Sequence, residues 1–83
     1  IDIMAIQEPY VLLGECKWKD TPVDMDTVHT LLERSGLFHY PEKYYFFFSK
    51  SGFEDSVIDY VKNSRNINLV SYKQICQIGD INE

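Results

Sequence analysis

Asp2, Glu15 and Lys17 are the residues whose types and spacing could do chemistry in this sequence. Glu15 and Lys17 stand two apart in the segment 10–18, YVLLGECKW, which reads as a strand. Alternation then puts Val11, Leu13, Glu15 and Lys17 on one face, apolar at one end and charged at the other. An earlier strand at 1–6, IDIMAI, is joined to it through Gln7-Glu8-Pro9, where Pro9 cannot donate to a ladder, so the two form an antiparallel hairpin. With the turn centred between Glu8 and Pro9, Asp2 falls opposite Glu15. Directly opposed residues have Cβ atoms about 4.5–5.5 Å apart, so two carboxylates there repel unless a cation intervenes. Mg²⁺ or Mn²⁺ is the cation such a pair would suit, because Mg²⁺ is held by one or two carboxylates together with waters and phosphate oxygens. Lys17 could orient or deprotonate an attacking water, or offset developing negative charge. The same residues also fit an ordinary charged pair on an exposed strand, and a one-residue slip would turn Asp2 to the wrong face.

The elements that must position these residues follow in order. Residues 25–35 read as a helix with Val28, Leu31, Leu32 and Ser35 along one stripe, Asp24 as N-cap, Asp26 in the positive first turn and Gly36 as the stop. Residues 43–49, KYYFFFS, read as a strand whose unbroken apolar character predicts burial on both faces. Residues 53–64 read as a helix with Phe53, Val57, Tyr60 and Val61 inward, and 67–72 as a strand. Residues 73–78 read as a short terminal helix. The fold class is therefore α/β, a mixed β-sheet with flanking helices in the order ββαβαβ.

Composition narrows the classes of function. Thirteen Asp and Glu against eight Lys and Arg leave a net charge of −5. Strong autonomous binding to phosphate backbones calls for a basic surface, so this balance argues against it, although metal ions can still meet phosphate. Cys16 and Cys76 form no CxxC pair and have no His at ligand spacing, which predicts two buried thiols in a reducing cytoplasm. No apolar run reaches the roughly 18–20 residues of a membrane helix. Ile1 already lies inside a strand-like segment, which reads as a chain cut from something larger.

A hairpin with an acid on its first strand, ExK near the end of its second and a helix after it resembles the PD-(D/E)XK nuclease superfamily, which includes restriction endonucleases and Holliday-junction resolvases. The resemblance matches Asp2 to that family's Asp, Glu15 to its acid, Lys17 to its lysine and Cys16 to the variable position. It implies metal binding by Asp2, Glu15 and the main-chain carbonyl of Cys16. It also implies a partial restriction-endonuclease-like core without its first helix and first strand. IDIMA, GECKW, PVD, LLERSGLF, YYFFFSKSGF and NLVSY together resemble, over nearly the whole chain, an uncharacterised domain that follows the ATPase domain of archaeal and bacterial AAA-type (DEXX-box) ATPases. That likeness implies an N-terminal P-loop ATPase domain as partner and DNA as substrate, with this piece inactive alone. The alternative is a catalytically inactive nucleic-acid- or protein-interaction module of the ATPase. No GxxxxGK[ST] occurs here, so this stretch binds no ATP in that manner.

Other aromatic and polar residues read as structural. Trp18 is expected to pack beneath the following helix rather than stack on a base, and Tyr44 to Phe48 to form a buried central strand rather than a stacking platform. His29 and His39 lack partners at recognisable spacing. Ser49 to Gly52 read as a strand-to-helix turn with Ser51 or Gly52 near the cap. An edge strand at 1–6 and an uncovered apolar sheet face would lead the chain to self-associate, most simply as a symmetric dimer.

Overall fold

A computed structural model of the chain describes residues 1–73. The elements run β1 (Ile3–Gln7), β2 (Tyr10–Lys17), α1 (Met25–Ser35), β3 (Glu42–Ser49), α2 (Asp55–Lys62) and β4 (Ile67–Ser71). They form one mixed sheet of order β1-β2-β3-β4, with β1 antiparallel to β2 and β2, β3 and β4 parallel. The α/β class and the order ββαβαβ are those expected from the sequence. The expected helix at 73–78 lies, beyond Lys73, outside the described residues.

The hairpin register follows from its short turn. Ile3 pairs with Gly14 and Gln7 with Tyr10, which is the register that sets Asp2 against Glu15. Gly14 is where β1 comes closest, since a Cβ there would lie 3.1 Å from the Cβ of Ile3. Parallel neighbours need crossovers, and both crossovers here are helices packed on the same side of the sheet. Val28 and Leu31 of α1 and Val57 of α2 meet Val11, Leu13, Tyr45, Phe47 and Ile67 in one core.

Burial therefore alternates along the strands. Val11, Leu13 and Phe47 are fully buried beneath the helices, whereas Leu12, Tyr44, Phe46 and Phe48 on the opposite face are half-buried and Tyr10 is exposed. This corrects the expected burial of β3 on both faces. An apolar run marks a central strand, and it does not report how many of the strand's faces are covered. Ring pairing on the open face, Phe46 with Phe48 at 6.4 Å and Tyr10 with Tyr44 at 6.0 Å, shelters part of that surface.

Local details differ in three further places. Trp18 is 57% exposed and packs edge-on against Tyr72 at 5.2 Å rather than beneath α1. Cys16 is exposed, not buried. α2 begins at Asp55 with Glu54 as its N-cap, so neither Ser51 nor Gly52 caps it, and Tyr60 is 40% exposed. Gly52 has φ +86, a conformation that favours glycine.

Candidate functional site

The C-terminal ends of parallel strands are where α/β sheets hold ligands, and Glu15 and Lys17 lie at that end of β2. Two loops fix the end. Val23 N–H donates to Gly52 O at 2.9 Å and Glu54 N–H to Val23 O at 2.9 Å, so the segment before α1 is paired with the one before α2. Ser51 Oγ donates to Lys19 O at 2.6 Å, Lys50 N–H to Lys17 O at 3.1 Å, and Lys50 Nζ meets Asp20 Oδ1 at 3.0 Å. Nothing in the local pattern of either loop announces this pairing, because its partners are some 30 residues apart.

Asp2 is held at the corner where β1 begins. Its N–H donates to Gly14 O at 3.0 Å, and its Oδ2 accepts the N–H of Cys16 at 2.8 Å. The carboxylate thus takes the ladder position that a further residue of β1 would have filled. A carboxylate accepts at about four lone-pair sites, so this bond leaves acceptor capacity for a cation. The carbonyl of Cys16 shares that edge of β2, because a strand residue directs its N–H and C=O to the same side. Glu15 projects to the helix-covered face, where the Ile1 ammonium lies 3.6 Å from its Oε2; both groups are 12% exposed.

The thiol of Cys16 registers the local field. Its pKa is raised from the usual value, first by desolvation and then by the negative charges of Asp2 and of Glu15. Both acids act on one point, as the hairpin register requires.

Beside Glu15 and Lys17 opens a cleft of about 240 Å³, lined also by Asp24, Asp26, Thr27, Thr30 and Arg34 of the α1 region. Thr27, Thr30 and Arg34 form a polar stripe next to the buried one of Val28, Leu31 and Ser35. The sequence reading used Asp24 and Asp26 only as helix-start residues and passed over the stripe, though its spacing was visible. Asp24 accepts the N–H and hydroxyl of Thr27, each at 3.0 Å. These bonds, with the charge of Lys17, hold its carboxyl below the ordinary value against an opposing effect of burial. Asp2 does not line this cleft, so the three expected residues meet at a corner rather than around one cavity. His29 sits edge-on to Tyr60 at 6.2 Å and belongs to neither site.

The residues fit a metal in part. Two carboxylates and a main-chain carbonyl suit Mg²⁺ or Mn²⁺ completed by water and phosphate oxygens. Among the described residues, no three His, Cys, Asp or Glu side chains gather as a metal-binding group. Nor is any described helix long and apolar enough to cross a membrane. The chain matches no protein-family model, no curated protein and no solved structure.

Proposed function

We propose that this chain is the nuclease-like part of an ATPase-associated domain, a divalent-metal-dependent DNA phosphodiesterase with Asp2, Glu15 and Lys17 as its working residues. The observation that carries the reading is the bond from Cys16 N–H to Asp2, which ties the acid of the first strand to the ExK of the second at one corner of the sheet. The order ββαβαβ and the place of Glu15 and Lys17 at the C-terminal end of β2 support it further. Asp2, Glu15 and the carbonyl of Cys16 would hold the Mg²⁺ or Mn²⁺. Such an ion supplies Lewis-acid polarisation of the phosphodiester and makes a bound water more acidic. Lys17 orients the attacking water or offsets the negative charge that develops on the phosphate oxygens. Arg34, across the cleft, is suited to a flanking phosphate oxygen.

The test is cleavage of DNA by the full-length parent with Mg²⁺ or Mn²⁺. Lys17→Ala is expected to lower the rate by about 10²–10⁴-fold, the usual weight of a positioned acid–base group. Glu15→Ala is expected to abolish cleavage. Equal rates in wild type and both variants would refute the assignment.

The second reading, a non-enzymatic interaction module of the ATPase, draws on the net charge of −5 and on the absence of a three-residue metal group among the described residues. Calorimetry separates the two readings. Absence of Mg²⁺ or Mn²⁺ binding at millimolar concentration in the intact parent favours the module.

A further inference from the structure

We draw no further inference here: the strongest candidate, the open aromatic face of the sheet at Tyr44, Phe46, Phe48 and Trp18, carries nothing, because nothing in the structure shows what covers it.

Discussion

The two faces of the sheet are made by the same strands and differ in what lies over them. Beneath α1 and α2, Val11, Leu13, Val28, Phe47 and Val57 have no exposed surface. On the other face Phe46 and Phe48 are half-buried, Tyr10 is 48% exposed and Trp18 57%. Both faces are apolar in sequence, so composition does not distinguish them. Topology does, because two right-handed crossovers between adjacent parallel strands both fall on one side. The covered face carries the stability and ends in charge at Glu15 and Lys17. The open face carries surface available to a partner and ends in the Trp18–Tyr72 pair.

Adjacent phenylalanines of one strand give the largest contrast. Phe47 is fully buried, so Phe47→Ala removes a core side chain and leaves a cavity, and should cost about 3–5 kcal/mol in urea unfolding. Phe48, one residue on and facing the other way, should cost no more than about 1.5 kcal/mol when changed to Ala, because less apolar area returns to water. Similar losses at both positions would mean that the open face is covered in solution.

The second prediction concerns the edge of the sheet, where the occupant is a second copy of the chain. β1 stands at the edge of the sheet with all five of its residues exposed, and no proline or lysine interrupts Ile3–Gln7. A two-fold axis beside β1 would pair it antiparallel with its copy and satisfy both edges at once. The expected outcome is a dimer in light scattering at high micromolar concentration. Ile6→Lys, which puts a charge on the 52%-exposed Ile6, should weaken it by about tenfold or more, equivalent to about 1.4 kcal/mol. A monomeric wild type over the whole concentration series would refute the arrangement.

These contrasts also separate what the residues announce from what they conceal. The six elements, the hairpin register and the position of Asp2 relative to Glu15 were legible, because they depend on local periodicity and on a short turn. The coverage of the aromatic strand was not. Tyr44 to Phe48 show the same unbroken run whether one face or two are packed, and only the placement of both helices decides it. Trp18 was misplaced for the same reason, since adjacency to α1 in sequence suggested packing beneath it. The Thr27–Thr30–Arg34 stripe was available from helical spacing alone. The loop pairing of Val23 with Phe53 was not, because isolated bridges between distant loops leave no periodic trace.

The smallest expected effect concerns how the covered face is closed. α1 supplies Val28 and Leu31 to the core, and its first turn is fixed by Asp24, which accepts from the N–H and hydroxyl of Thr27 and faces the charge of Lys17. All three favour the ionised carboxylate, so its folded pKa lies below the ordinary 3.8 even though burial pushes the other way. The sign follows from linkage. A carboxyl depressed in the folded state contributes stability that is fully present above its unfolded value, and this is lost as pH falls through the folded value. Asp24→Asn retains a good N-cap oxygen but cannot titrate. Unfolding measured as a function of pH should therefore show the wild type losing stability below about pH 4 more steeply than Asp24→Asn, with the two curves parallel from pH 5 to 8. The difference should be small, because water and salt screen a carboxylate so near the surface, and it should shrink further at high ionic strength. Identical slopes below pH 4 would show that Thr27 and Lys17 do not bias Asp24. The start of α1 would then be held only by the packing of Val28 and Leu31 and by the loop bonds at Val23.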